Sequence, residues 1–324
     1  MSHGAEQRVA VLIPCLNEAS AIARVIDGFK TALPEATVYV YDNGSTDASV
    51  ERAREAGAVV RSEPRRGKGN VVRRMFADVD ADVYLLVDGD GTYDPTSAPA
   101  MLSRLTDERL DMVTARRVAV EAGAYRAWHT LGNRALTGVV AWLFGQPIGD
   151  MLSGYRLMSR RLVKSFPALS RGFEIETELT VHAMELRMPL AEIDTPYGAR
   201  DEGSSSKLST FGDGARIGRT IGKLLRDERP LAFFGSMAAV LALLSLYLGV
   251  GLWETFLETG LVPRFPTAIL ATGLMLSALI SMACGLILDT VTTGRREMKR
   301  LLYLRIPLSA PSATPKPGGG RHEW

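Results

Sequence analysis

Through the first 115 residues the apolar positions fall into two kinds of block. Short runs rich in β-branched residues, Val9–Ile13, Thr37–Tyr41, Ala58–Arg61, Val83–Val87 and Met112–Thr114, end in turn residues and predict strands. Between them Ala19–Leu33, Asp47–Ala56, Gly69–Ala77 and Thr96–Leu105 predict helices. This alternation implies an α/β domain with a mainly parallel sheet covered by helices. Ligands in that architecture sit at the carboxyl ends of strands.

Farther on the pattern changes. No charged residue occurs between Arg229 and Glu254, or between Arg264 and Asp289. Each window exceeds the roughly 20 residues a helix needs to cross a hydrocarbon core, so two transmembrane helices are expected at about 231–253 and 265–288. A buried hairpin in a larger soluble core is the competing explanation. Arg216, Arg219, Lys223, Arg226 and Arg229 precede the first window, and Arg295, Arg296, Lys299, Arg300 and Arg305 follow the second. The connection carries Glu254, Glu258 and only Arg264. The positive-inside rule then puts both termini and the α/β domain in the cytoplasm of a multi-pass protein of the inner membrane. Between domain and hairpin, Ile217, Ile221, Leu224 and Leu225 recur at helical spacing among the basic residues, which predicts an amphipathic helix in the headgroup layer. The expected organisation is a cytosolic domain over 1–210, an interfacial helix over 211–229, two membrane helices within 230–292, and a basic tail over 293–324 with a disordered end.

Composition adds little. The net charge of +2 gives no case for nucleic acid. Cys15 and Cys284 stand in unlike settings, and neither they nor the four scattered histidines form a zinc pattern.

The chemistry gathers at strand ends. Tyr84–Val87 runs into Asp88-Gly89-Asp90, and carboxylates two apart on an extended strand point the same way. Two such acids suit a divalent ion that holds a diphosphate, although the same residues also make an ordinary turn. Pro14-Cys-Leu-Asn17-Glu18 follows the first strand, where a dinucleotide-binding glycine fingerprint would stand and does not. Asp42-Asn-Gly-Ser-Thr-Asp47 follows the second strand, and Arg65-Arg-Gly-Lys68-Gly-Asn70 opens a helix with cations suited to phosphate oxygens. Later come Asp150-Met-Leu-Ser153-Gly-Tyr-Arg156, the acidic run Glu174, Glu176 and Glu178, and Arg200-Asp-Glu-Gly-Ser-Ser-Ser-Lys207. The acidic run complements a helix dipole or contacts a sugar's hydroxyls; His182 is expected to be packed rather than catalytic.

Six motifs in chain order, Leu12–Glu18, Asp42–Asp47, Arg66–Gly69, Asp88–Asp90, Asp150–Arg156 and Arg200–Leu208, resemble family 2 glycosyltransferases of GT-A fold, and among them the polyprenyl-phosphate glycosyltransferases such as dolichol-phosphate mannose synthase. The resemblance covers about residues 8–230 and the two-helix tail. It implies an inverting hexosyltransferase that moves a sugar from a nucleoside diphosphate to undecaprenyl or another polyprenyl phosphate. The donor it favours is UDP-glucose or a UDP-N-acetylhexosamine. GDP-mannose, a non-lipid acceptor and an inactive nucleotide-sugar-binding scaffold are the alternatives. By the resemblance Pro14, Asn17, Glu18, Asp42, Lys68, Asp88 and Gly89 hold the nucleotide sugar, and Asp88 and Asp90 bind Mn2+ or Mg2+. Asp90, Arg200 and Lys207 act on the departing diphosphate, and Arg116, Arg126, Ser153 and Arg156 hold the lipid phosphate. Two positions depart from the family pattern: Asn43 replaces a common acidic residue, and Thr92 stands where some relatives carry a metal-binding glutamine. Self-association of the hairpin through Gly249, Gly251 and Gly273 is a further expectation.

Overall fold

A computed structural model describes residues 7–119, 138, 142, 149–168, 172, 174–198, 222–223 and 225–307. The strands are β1 (Val9–Cys15), β2 (Thr37–Asp42), β3 (Val59–Ser62), β4 (Val83–Leu86), β5 (Met112–Ala119), β6 (Arg156–Ser159) and β7 (Leu190–Tyr197). The helices are α1 (Ile22–Ala32), α2 (Ser49–Glu55), α3 (Lys68–Asp78), α4 (Ala98–Asp107), α5 (Arg160–Ser165), α6 (Ile175–Glu185), α7 (Pro230–Thr259) and α8 (Phe265–Arg305).

The strands form one seven-stranded sheet in the order β3-β2-β1-β4-β6-β5-β7. β6 is antiparallel to both its neighbours, and the other pairings are parallel. The carboxyl ends of β1, β2, β4, β5 and β7 therefore share one rim. Because β6 runs the other way, it starts at that rim, with Arg156 opposite Leu86 and Thr114. This reversal brings the 150–155 loop beside the acids that follow β4.

Strand alternation builds the core. In β1, Val11 and Ile13 face one side, with α1 residues Ile22, Ile26 and Phe29 and α4 residues Met101 and Leu105. Ala10 and Leu12 face the other, with α3 residues Val72, Met75 and Phe76 and α6 residues Ile175 and Leu179. A sheet buried on both faces needs apolar residues at every position, and β4 shows this with Val83, Tyr84, Leu85 and Leu86 all buried. Removing one such side chain, as in Leu85→Ala, costs about 2–5 kcal/mol.

The sequence-predicted strands and helices up to β5 match these elements within a few residues. The shifts have local causes. α1 starts at Ile22 rather than Ala19 because the Glu18 carbonyl first accepts from Ala21 and Ile22. α2 starts at Ser49 because the Asp47 carboxylate accepts from the Ser49 amide at 3.1 Å. Met112–Thr114 extends to Ala119, paired along its whole length with β7.

The chain divides into two compact units, 1–208 with 299–324, and 209–298. In the second unit α7 and α8 form a hairpin. Ser245 Oγ donates to the Ala271 carbonyl at 2.7 Å and Ser281 Oγ to the Phe234 carbonyl at 3.1 Å. Gly285 lets the helices approach, since a Cβ there would lie 3.1 Å from the Phe234 Cβ. Gly260, at φ +67°, closes α7 in the left-handed conformation that favours glycine. Both helices are long and apolar enough to cross a membrane, and Leu243, Leu246, Leu279, Ile280 and Ile287 are exposed. At the base of the hairpin Arg295 and Arg296 converge on Glu228 at 3.0 and 3.2 Å.

α8 continues to Arg305 through the stretch expected to be a tail, and its last turns belong to the first unit. There Lys299 donates to Glu185 at 2.6 Å, and Tyr303 donates to Asp111 at 2.8 Å while Arg161 covers its ring. Most of the expected interfacial helix, 211–229, and the end of the tail lie outside the described residues; within the former, 222–223 and 225–228 are helical.

Candidate active site

The loops after β1 and β2 are laced together. Asn17, held at φ +56°, accepts from the Thr46 amide through Oδ1 at 2.8 Å, and its own amide donates to Ser45 Oγ at 2.9 Å. Left-handed Asn is tolerated because its short polar side chain bonds locally. Asp42 ends β2, and its carboxylate accepts from the amides of Gly44 and Ser45 at 2.9 and 3.0 Å. Asp42 is thus first a brace for its own turn. The Glu18 amide donates to Ser49 Oγ at 2.8 Å. Pro14 is the penultimate residue of β1, opposite Tyr41. Burial pushes the neighbouring Cys15 thiol up to about 11, so it is protonated and inert at neutral pH.

Asn43 has a structural task that its sequence position did not reveal. Nδ2 donates to the carbonyls of Glu63 and Arg65, both at 2.8 Å, and Oδ1 accepts from the Gly67 amide at 2.7 Å. An amide can give two bonds and take one; the carboxylate common at this position in the family cannot donate. Asn43 therefore fixes the loop that delivers Lys68 to the first turn of α3.

Lys68 turns inward. Its side chain is 8% exposed, and Nζ contacts Asp88 Oδ1 and, at 2.5 Å, Glu176 Oε1. Burial opposes its charge, yet Asp88 and Glu176 outweigh that and hold the ammonium's pKa above its ordinary value. Asp88 and Asp90 carry like charges two residues apart, and at Asp88 the repulsion is relieved by an internal cation. At Asp90, which is buried, Thr92 relieves it: Oγ1 donates at 2.7 Å and the amide at 3.2 Å. Two glycines make the space. A Cβ on Gly89 would press on Ile13 Cγ2 and Ile22 Cδ1 at 3.3 Å, and one on Gly154 would collide with the Asp88 carboxylate, 3.0 Å from its Cγ.

The far half of the rim is set by β5 and β7. Arg116 grips Asp194 with two bonds of 2.5 and 2.6 Å at an exposed position. Arg117 grips Asp150 likewise at 2.6 and 2.8 Å. Glu192 accepts from the amides of Gly149 and Asp150 at 2.8 and 3.1 Å, so both strands pin the 150–155 loop.

Two residues assigned to the lipid phosphate by resemblance face inward instead. Arg156 is 0% exposed; its guanidinium donates to the carbonyls of Ser153 and Met151 at 2.8 and 2.6 Å and to Thr180 Oγ1 at 2.7 Å. Ser153 is likewise buried, with Oγ accepting from the Tyr155 amide at 3.3 Å. With its donors aimed at carbonyls, Arg156 is a post under the loop rather than a phosphate hand. Of that set Arg116 is at the surface, and Arg126, together with Arg200 and Lys207, lies outside the described residues. In the acidic run, Glu176 belongs to the Lys68 cluster, while His182 is buried, with Nε2 3.1 Å from Ser165 Oγ.

The donors fit a hard divalent cation. Asp88 is 30% exposed on its side chain and, with Asp90 and Thr92, offers only oxygen. Among the described residues no cluster of three or more His, Cys, Asp or Glu forms a cage. Mg2+ and Mn2+ suit such a site, because they keep open positions for phosphate oxygens.

Comparison with known proteins identifies the family. The family model for glycosyl transferase family 2 matches residues 10–166. Glycosyltransferase AglJ of Haloferax volcanii is 32% identical over 90% of this chain and 97% of its own length. The dolichyl-phosphate hexose transferase of the same organism is 28% identical over 68% of this chain and 95% of its own. Among solved structures, glucosyl-3-phosphoglycerate synthase from Mycobacterium tuberculosis, in complex with Mn2+, UDP-glucose and phosphoglyceric acid, aligns with a TM-score of 0.55 at 26% identity, over 68% of this chain and 79% of that one. With its mainly parallel sheet, the acids that follow β4 and these relatives, the chain belongs to glycosyl transferase family 2 and has the GT-A fold.

Proposed function

We propose that this protein is a membrane-anchored, inverting hexosyltransferase that moves glucose or an N-acetylhexosamine from its UDP donor to a polyprenyl phosphate at the cytoplasmic face of the membrane. The observation that carries the reading is Asp88 and Asp90 at the sheet rim, with a buried lysine on one of them. The Mn2+ and UDP-glucose of the mycobacterial structure support the donor, and the dolichyl-phosphate relative supports the acceptor. The two long apolar helices support the membrane. Arginines and lysines at both ends of the hairpin, against Arg264 alone between the two apolar windows, support cytoplasmic termini.

In the reaction the anomeric C–O bond to the diphosphate breaks, a lipid-phosphate oxygen bonds the anomeric carbon from the opposite face, and UDP departs with the electron pair. A divalent cation on Asp88 and Asp90 supplies charge stabilisation to that leaving group. Asn17, Asp42 and Glu18 shape the loops around the nucleoside. Lys68 keeps a positive charge beneath the rim, within reach of Asp88 and Glu176, and Arg200 and Lys207 add theirs from the sequence beyond β7. The acceptor is already anionic at neutral pH, so it needs orientation rather than a base. Arg116 and Arg126 serve that orientation, since a guanidinium grips two phosphate oxygens at once. Arg116 is paired with Asp194 at an exposed position, where a phosphate can compete for its guanidinium.

The test uses the purified full chain in detergent with radiolabelled UDP-glucose, UDP-N-acetylglucosamine or GDP-mannose, Mn2+ and undecaprenyl phosphate. Label from a UDP sugar in the organic phase supports the reading. Label from GDP-mannose alone overturns the donor, and label that enters only water-soluble acceptors overturns the lipid.

A further inference from the structure

Lys68 sits between two carboxylates, and they are not equivalent. Asp88 is at the rim and partly open, and Gly154 backs it so closely that the carboxylate cannot retreat. Glu176 is deep, its side chain 5% exposed, on the first turn of α6. Its Oε1 takes Lys68, while its Oε2 is buried with no hydrogen-bond partner among the described residues. A buried carboxylate oxygen without a donor is costly, which makes it a standing acceptor for any donor that can move toward it. The flexible four-carbon stem of lysine allows such a move; neither carboxylate has that reach.

We propose that Lys68 is the resident counter-cation of Asp88 and that Glu176 is the positioning residue to which it withdraws when Asp88 takes up a divalent ion. This rests on the rim acids being a cation site, as in the reading above. Withdrawal lets Lys68 give a second N–H to Glu176, satisfying Oε2, and clears Asp88 Oδ1 without leaving either buried charge unpaired. Glu176 then sets how readily the donor's cation binds, without touching substrate. The backbone supports the geometry from below: Thr180 Oγ1 donates to the Glu176 carbonyl at 3.0 Å and accepts from Arg156 at 2.7 Å, which ties the first turn of α6 to the 150–155 loop.

A double-mutant cycle on Mn2+ affinity, read by electron paramagnetic resonance of free Mn2+ with the full chain in detergent, tests this. Lys68→Met removes the competitor and is expected to tighten Mn2+ by about tenfold; Glu176→Gln strands Lys68 on Asp88 and is expected to weaken Mn2+ by about tenfold. In the Lys68→Met background Glu176→Gln is expected to change affinity by less than about threefold, because Glu176 acts through the lysine. An equal loss in both backgrounds would mean that Glu176 acts on the ion by its own charge, and would overturn the proposal. A crystal structure of the wild-type chain with Mn2+ and UDP gives a second readout free of substitutions: Lys68 Nζ bonded to both Glu176 oxygens supports the proposal, and Lys68 still on Asp88 overturns it. Mn2+ that fails to bind the wild-type chain at all would overturn both this inference and the cation site beneath it, whereas tight Mn2+ binding with a flat cycle would overturn the inference alone.

Discussion

Gly154→Ala is the smallest perturbation that reaches the rim acids. Its new Cβ would lie 3.0 Å from Asp88 Cγ and closer still to Oδ2, whereas non-bonded carbons settle at about 3.5–4.0 Å. The methyl cannot move, since it is fixed to backbone between Ser153 and Tyr155, so the carboxylate must swing by about 1 Å. A misplacement of that size costs about a hundredfold in rate, or about 2.7 kcal/mol of transition-state stabilisation. Overpacking also costs about 1–3 kcal/mol of folding stability. Gly28→Ala separates the two effects, because its Cβ would strike Pro95 Cγ at 2.7 Å, away from the acids. Thermal melts and Mn2+·UDP titrations of both variants, with turnover on the donor found active, are the assays. Both variants are expected to melt lower, and only Gly154→Ala to lose cation affinity and turnover. A Gly154→Ala protein with wild-type affinity and turnover would refute the assignment of Asp88 as the constrained ligand.

Other outcomes follow from the same contacts. Asn43→Asp, which restores the family's acid, is expected to destabilise the chain by about 2–4 kcal/mol, because it sets a carboxylate against the carbonyls of Glu63 and Arg65; urea melts measure it. Arg156→Lys is expected to lower the melting temperature and leave the acceptor KM unchanged; a raised KM at an unchanged melting temperature would return Arg156 to the lipid phosphate. His182 gives an acid limb: burial, then the charge of Lys299, lowers its pKa to about 3 in the folded chain. An unfolded histidine takes its proton near pH 6.5, so stability is full above that pH and is lost as pH falls toward about 3, by a few kcal/mol. Replacement by Phe is expected to flatten that limb in denaturant melts taken across the range.

The sequence made the first half of the domain readable because each element there carries its own period and its own stop. Val9–Ile13 and Val83–Val87 are apolar at every position and end in turn chemistry, so both their existence and their ends show. β6 and β7 did not show. Arg156–Ser159 is four residues long and starts with a buried arginine, while Leu190–Tyr197 carries Glu192, Asp194 and Pro196, which read as loop until β5 pairs with it. At the site, motif order marked Asp42, Lys68, Asp88 and Asp90, but spacing could not say that Lys68 would turn away from solvent onto Glu176. Nor could it separate Arg116, held at the surface by Asp194, from Arg156, sealed among carbonyls. Those outcomes depend on which way β6 runs and on where the start of α6 packs, and both are tertiary. Gly154, a glycine between Ser153 and Tyr155 with no positive φ, is explained by the carboxylate lying against it.

Cation-dependent turnover, measured on the wild-type chain and on Asp90→Asn after exhaustive chelation and Mn2+ re-addition, bears most directly on the rim acids. The account predicts that chelation stops sugar transfer, that Mn2+ restores it in the wild type, and that Asp90→Asn stays inactive while keeping its fold. Full turnover without any divalent ion, or in the Asp90→Asn chain, would contradict it.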